Sequence, residues 1–189
     1  MIRRMQWGLL VVGLTLFGLS PFVAALELPS TEARCINDHG GLLSKADESK
    51  FKSLCDKARK DGVQMMIVTV KSLDDYSVRA SRLDFFVDNL FDEWDIEYDA
   101  ASSAILVFAS RKERQVRLRM GDHYPDKAWK HAERIVKRNL GPSVARRSSA
   151  GIRKGMADLY GKVAKPYIKK KKRAEQEAQR KRGTVNFDQ

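Results

Sequence analysis

The sequence predicts a single α/β domain, a three-layer α/β/α sandwich whose small mixed sheet has three or four strands. Two apolar runs rich in β-branched residues, 63–70 and 103–109, have the composition of strands buried on both faces. Between them, residues 83–94 repeat apolar side chains at a period close to 3.6, which predicts a crossover helix and hence two parallel strands. Residues 115–120 alternate with period two, as expected of a further, antiparallel strand with one face in water.

The stretch before the first strand is predicted to be a turn followed by a helix. Residues 35–44 contain Asn-Asp and Gly-Gly pairs, which favour turns. Ser44 is positioned to cap a helix over residues 45–61, which ends at the following glycine. In the loop after the first strand, either Asp74 or Asp75 is expected to cap the crossover helix.

Two further helices are predicted after the last strand. The first is expected to end at Leu140-Gly141-Pro142, and the second to break or kink at Pro166, because proline lacks the N–H that continues a helix. From Lys169 the chain is strongly polar and has no apolar face. We expect this tail to project from the domain as a basic, partly helical arm.

The N-terminal 25 residues resemble a secretory signal peptide. Arg3 and Arg4 precede an apolar run, and the small residues Val23 and Ala25 suit signal peptidase. The alternative is an uncleaved inner-membrane anchor, although Pro21 interrupts the run. We therefore expect a periplasmic or secreted protein. The predicted divisions are a signal peptide (1–25), a polar lead (26–34), an α/β domain (35–165) and a basic tail (166–189).

The net charge of +12 and the pI near 9.8 indicate an anionic partner or a solvated basic surface. In a cytosolic protein this charge would suggest nucleic acid, but export argues against that partner. Outside the cytoplasm the anionic partners are lipid or lipopolysaccharide head groups and acidic protein surfaces.

The two cysteines, Cys35 and Cys55, permit one disulfide in an oxidising compartment. The alternative is that Cys55 is simply a small core residue, because it shares a helix face with Phe51 and Ala58. The sequence leaves both interpretations open.

Acidic residues are predicted to gather at one edge of the sheet. Because the second long strand is parallel to the first and the third runs back, the connection entering strand two and the loop leaving strand three lie at the same edge. Oxygen ligands there suit calcium or another hard divalent cation, while ordinary loop acids and a helix cap at Asp126 are the alternative. The candidate residues are Asp95, Glu97, Asp99, Asp122 and Asp126.

Several short motifs occur in order along the chain. The run from Ile36 to Ser44 reads I-N-D-H-G-G-L-L-S, and Val68 to Leu73, Leu90 to Ile96, Ala104 to Val107 and Arg114 to Gly121 follow. In this order and spacing they resemble the TPM domain, over about residues 34–163. The resemblance implies an exported or thylakoid-lumen α/β/α domain, often membrane-attached, with roles that include acid phosphatase activity, photosystem II repair and receptor modulation. It also implies calcium-type ions at acidic residues, which here are Asp38 and the loop after Gly121.

The chain departs from the family pattern where glycines are usual. Trp94-Asp95-Ile96-Glu97 replaces Trp-Gly-Ile-Gly, Ser103-Ala104 replaces Asn-Gly, and Gly121-Asp122-His123 replaces Gly-Tyr-Gly. The chain also lacks a glycine-rich phosphate loop, Gly-x-Ser-x-Gly, His-Glu-x-x-His and zinc-type cysteine pairs. The favoured hypothesis is therefore a non-enzymatic accessory module for a membrane protein complex or the cell envelope. The alternative is a metal-dependent acid phosphatase.

Overall fold

A computed structural model describes residues 27–30, 35–94 and 103–184. Its sheet has four strands in the order β1-β2-β3-β4, of which the first three are parallel and β4 is antiparallel to β3. The α/β fold class is confirmed, and β1, in the stretch interpreted as a turn, supplies the fourth strand. The strands are β1 (Ile36–Asp38), β2 (Met65–Val70), β3 (Ile105–Ser110) and β4 (Gln115–Met120).

Helices cover both faces of this sheet. The α-helices are α1 (Lys45–Lys60), α2 (Leu83–Glu93), α3 (Asp126–Ile135), α4 (Gly141–Ala145), α5 (Ser149–Leu159) and α6 (Lys165–Thr184). Two π-helical turns, Val136–Leu140 and Tyr160–Ala164, join α3 to α4 and α5 to α6. Two 3₁₀ turns, Asp74–Tyr76 and Ala80–Arg82, precede α2.

Alternation along the strands creates two separate cores. Ile67 and Val107 lie on one face of the sheet and pack in the cluster that contains α1, α3 and α5. Val68 and Phe108 lie on the other face and pack against α2. Because successive side chains of a strand point to opposite faces, strands buried on both sides read as continuous apolar runs.

The two parallel crossovers pass over opposite faces of the sheet. Helix α1, which connects β1 to β2, lies on one face, and α2, which connects β2 to β3, lies on the other. Both connections lead to the next strand in the same direction across the sheet. The two crossovers therefore have opposite handedness, and one departs from the usual right-handed rule. The loops that leave β1 and β2 diverge at the carboxyl edge of the strands, which is where α/β sheets commonly bind ligands.

The expected helix end at Leu140-Gly141-Pro142 and the expected break at Pro166 are wrong, because the helical path continues through both prolines, whereas the alternative of a kink at Pro166 stays a prediction. Each proline follows a π-helical turn by two residues. A proline ring normally clashes with the carbonyl four residues earlier, and a π turn moves that carbonyl out of the four-residue repeat.

The start of α1 is confirmed and the predicted caps of α2 are wrong. Ser44 Oγ accepts from the Asp47 N–H at 3.2 Å, as an N-cap side chain should. Neither Asp74 nor Asp75 caps α2, which begins several residues later and has Arg82 at its N-cap with no side-chain hydrogen bond.

Cys35 and Cys55 form a disulfide, with Cα atoms 6.3 Å apart. Cys55 is also buried in the core of α1, so the two interpretations of this residue are compatible. The bond fastens the chain entering β1 to the first helix.

Candidate functional site

Asp38 ends β1 at the carboxyl edge of the sheet, and its carboxylate is occupied by hydrogen bonds. The backbone N–H of Leu42 donates to Oδ1 and that of Leu43 to Oδ2, both at 2.9 Å. The Thr69 hydroxyl, from the end of β2, also donates to Oδ1. These bonds use both lone pairs of Oδ1 and one of Oδ2. Asp38 therefore holds the turn after β1 and keeps only one acceptor position for another ligand.

Gly40 completes this arrangement because only glycine fits against the end of β2. Its N–H donates to the carbonyl of Thr69 at 3.0 Å and to the Thr69 hydroxyl at 2.9 Å. A Cβ at Gly40 would lie 2.7 Å from the Val70 carbonyl oxygen. The next residue, Gly41, has a φ of +61°, which also favours glycine. The Ile36–Ser44 motif, on which the family resemblance rests, therefore serves to pack the turn after β1 closely against the end of β2.

Glu113, in the β3–β4 turn, is a second internally bonded carboxylate at the same edge. It accepts from the Ser72 hydroxyl at 2.8 Å, the Leu73 N–H at 3.2 Å and the Ser110 hydroxyl. Partial burial opposes ionisation, but these donors outweigh it and lower the pKa of Glu113 below its usual value. Sequence reasoning treated this residue only as part of a polar turn, because its partner Ser72 lies 41 positions away.

The opposite edge of the sheet holds the other described acidic candidates. The Gly121 N–H donates to the Ala104 carbonyl at 3.0 Å, and the Tyr124 hydroxyl donates to the Ser103 carbonyl at 2.8 Å. The start of β3, the second of the two long apolar runs, and the loop after β4 therefore do meet at this edge. Burial raises the pKa of Tyr124, which stays a neutral donor.

Asp122 and Asp126 are surface residues of this edge. The Asp122 side chain is 89% exposed and lies 3.6 Å from Nη2 of Arg119. Asp126 occupies the first turn of α3 and does not cap it, because the N-cap residue is Pro125. The carboxylates of Asp122 and Asp126 are thus available to solvent.

The structure separates Asp38 from Asp122 and Asp126. Asp38 pairs with Thr69 near the carboxyl end of β2, at the upper edge of the sheet. Met120, which leads into the loop with Asp122, is level with Met65 at the opposite, lower edge, four residues away along β2. At about 3.3 Å per residue this places the two edges at least ~13 Å apart.

The predicted metal site stays a prediction. Asp95, Glu97 and Asp99 lie outside the described residues. Within residues 27–30, 35–94 and 103–184, no three His, Cys, Asp or Glu side chains are grouped so as to bind a metal ion. Asp38 has little coordination capacity left and lies at the upper edge. Any metal site at the lower edge therefore depends on Asp122 and Asp126 together with Asp95, Glu97 and Asp99.

Helix α6 carries the basic tail. Its first turns are anchored: Ile168 is 6% exposed, the ring of Tyr167 lies 5.0 Å from that of Tyr124, and Lys172 Nζ donates to the Asp61 carbonyl at 3.2 Å. Residues 169–182 contain eight Lys or Arg and two Glu, and the side chains from 173 to 182 are all exposed. The arm is therefore a charged helix continuous with the folded domain.

No helix in the described part of the chain combines the length and apolar character needed to cross a bilayer.

Comparison with known proteins identifies the fold. The model of the TPM domain matches residues 36–162. The N-terminal domain of a P. gingivalis protein, solved by NMR, has a TM-score of 0.55 and 23% identity, over 67% of this chain and 80% of the other. The N-terminal domain of the cg2496 protein of Corynebacterium glutamicum has a TM-score of 0.47 and 14% identity, over 74% and 86%. No curated protein matches. The chain belongs to the TPM domain family.

Proposed function

We propose that this protein is an exported accessory module that acts without catalysis, held by α6 against an anionic membrane protein complex or envelope surface. The single observation that carries the proposal is the exposed charge of α6. Between residues 169 and 182 the helix presents a net charge of six, from eight cations and two acids. At 1.5 Å per residue this charge is spread over only about 21 Å of helix.

The chemistry of the arm favours adhesion over insertion. Each Lys or Arg close to an anionic surface contributes about 1 kcal/mol before screening by salt. Ala174 and Ala178 are the only apolar side chains between residues 169 and 182. A helix with so little apolar surface lies on head groups or acidic side chains without burying itself. Glu175 and Glu177 reduce the attraction, so the binding is weak and sensitive to salt.

Two observations support a binding role over a catalytic one. Asp38 and Glu113, the carboxylates at the carboxyl edge of the parallel strands, are both engaged by backbone N–H and hydroxyl donors. Three of the four acceptor positions of each carboxylate are therefore already used, which leaves each with little capacity to act as a general base. These carboxylates instead hold loops in place.

Cosedimentation with vesicles that contain phosphatidylglycerol tests the proposal. The test variant is Lys169→Gln, Lys170→Gln, Arg173→Gln and Arg182→Gln in the full chain. The matched control neutralises the same number of exposed charges on α1, with Lys50→Gln, Lys52→Gln, Lys57→Gln and Lys60→Gln. At low salt the arm variant is expected to lose most binding and the control little. Equal binding by the two variants would contradict the role of the arm.

Export is tested separately by the mass of the mature protein. Cleavage after Ala25 predicts that protein recovered from the periplasm or medium begins at Leu26. Full-length protein in the cytosolic fraction would contradict the export proposal without bearing on the charge of the arm.

A further inference from the structure

The outer edge of β4 lies in a groove between the two helical layers. A cavity of about 650 Å³ runs beside Val116 and Leu118 and is walled by Trp129 and Pro142. A second cavity of about 290 Å³ continues along Leu118 and Arg119 and is walled by α2. Both include Asp84, Arg117, Leu118 and Trp129, so they form one groove along the strand.

The register of the sheet shows which backbone groups face this groove. The Gly121 N–H bonds to the Ala104 carbonyl, so Gly121 and every second residue before it face β3. Val116, Leu118 and Met120 therefore direct their N–H and C=O groups outward. Of these three residues only Leu118 is not buried. Leu118 thus offers a donor and an acceptor that no strand pairs within the described residues.

Two arginines donate hydrogen bonds to the backbone carbonyls on either side of Leu118. Arg117 Nη1 donates to the Val116 carbonyl at 3.0 Å, and Arg119 Nη1 donates to the Met120 carbonyl at 2.6 Å. Their Nε atoms lie 2.6 Å from Asp84 Oδ1 and 3.1 Å from Asp88 Oδ1. Four residues of helix rise about 6.0 Å and two of strand about 6.6 Å, so the two ion pairs fit side by side.

We propose that this groove binds an extended segment of a partner protein as a fifth strand, in which basic and apolar side chains alternate. Main-chain bonds to Leu118 provide the pairing, as in other cases of strand addition to a sheet edge. The site is on a different part of the molecule from the arm and does not depend on the role proposed for it.

The two walls of the groove determine the alternation. On the α2 side the Asp84 and Asp88 side chains are 80% and 56% exposed, whereas Arg117 and Arg119 are 35% and 27% exposed. An incoming segment therefore meets the carboxylates first, and basic side chains complement them. On the other side Leu118 and the half-buried Trp129 favour apolar side chains, while Glu133 and Lys137, which also line it, carry opposite charges that balance. Because successive side chains of a strand point to opposite faces, one segment satisfies both walls only by alternating.

Amide NMR of the ¹⁵N-labelled full chain, titrated with an acetylated hexapeptide of alternating lysine and valine, tests this site. The Leu118 amide is expected to show one of the largest saturable shifts, and its hydrogen exchange to slow by about tenfold at saturation. Asp84→Asn with Asp88→Asn is expected to weaken binding by about fivefold, since each exposed charge contributes about 0.5 kcal/mol. Asp92→Asn with Glu93→Gln, which neutralises two exposed carboxylates on the same helix but outside the groove, is the matched control and should change nothing.

Three results would overturn the proposal. One is no shift at Leu118 with millimolar peptide. Another is equal or tighter binding of a peptide of alternating glutamate and valine, which would contradict the charge assignment. The third is undiminished binding of the fully N-methylated lysine–valine peptide, which would contradict main-chain pairing.

Discussion

Replacing Asp38 with alanine is expected to lower the free energy of unfolding by about 3 kcal/mol, because the carboxylate secures the turn after β1. Two backbone N–H groups, of Leu42 and Leu43, each lose a bond to a charged acceptor at 2.9 Å. Such bonds contribute about 1.5 to 3 kcal/mol each, and the lower value applies here because Asp38 is only partly buried. The loss of the Thr69 bond adds to this.

Asp38→Asn is expected to cost about half as much. Its amide oxygen still accepts from Leu42 and Thr69, but its amide nitrogen faces the N–H of Leu43, and two donors then oppose each other. The order Asp, Asn, Ala in stability is therefore a signature of the acceptor role.

Urea unfolding followed by far-ultraviolet circular dichroism measures these differences, and the melting temperature should fall by roughly 6 to 12 °C for Asp38→Ala. The control is Asp75→Ala, which removes an exposed carboxylate in a loop near the same edge and should change stability by less than about 0.5 kcal/mol. Equal stability of the Asp38→Ala and Asp75→Ala proteins would refute the structural role of Asp38.

Three further predictions concern pH, the disulfide and calcium. Hydrogen bonds from Arg153, Ser149 and Ser44 lower the pKa of Asp47 from 3.8 to about 2, so its stabilising effect is complete above pH 4 and disappears as the pH falls to 2. Urea midpoints of wild type and Asp47→Asn should therefore differ at pH 5 and converge near pH 2; a constant gap would contradict the shift. Reducing the Cys35–Cys55 bond, which closes a separation of 20 residues, should cost about 3 kcal/mol; an unchanged melting temperature in dithiothreitol would contradict it. If the lower edge binds calcium, millimolar calcium raises the melting temperature of wild type and Asp38→Asn but not of Asp122→Asn; a calcium response that Asp38→Asn alone abolishes would place the ion at the upper edge.

The main elements of the fold were predictable because they depend on local pattern. The runs that became β2 and β3 are almost entirely apolar, and Ser44 is a strong N-cap signal beside an amphipathic helix. Strand β1 was missed because it has only three residues and lies among turn formers. Its pairing with β2 joins residues about 30 positions apart, and a local sequence pattern does not predict such a pairing.

The helix ends were predicted less well because proline has different effects in different backbones. Pro142 and Pro166 read as terminators, yet a π-helical turn before each one lets the helix continue. The sequence around each proline does not show that such a turn will form.

The candidate site was only partly predictable for a similar reason. The predicted topology correctly placed the start of β3 and the loop after β4 at one edge of the sheet. It gave no information on hydrogen bonding, so the internal use of Asp38 and Glu113 emerged only from the structure. The groove along β4 also depends on which strand lies at the sheet edge.

Hydrolysis of p-nitrophenyl phosphate by the full-length protein, measured at acid pH with and without calcium and magnesium, tests most directly whether this domain binds or catalyses. With Asp38 and Glu113 engaged internally, no turnover above the rate in buffer is expected under any of these conditions. Metal-dependent turnover by wild type that is lost in folded Asp122→Ala or Asp38→Asn protein would contradict a non-catalytic role.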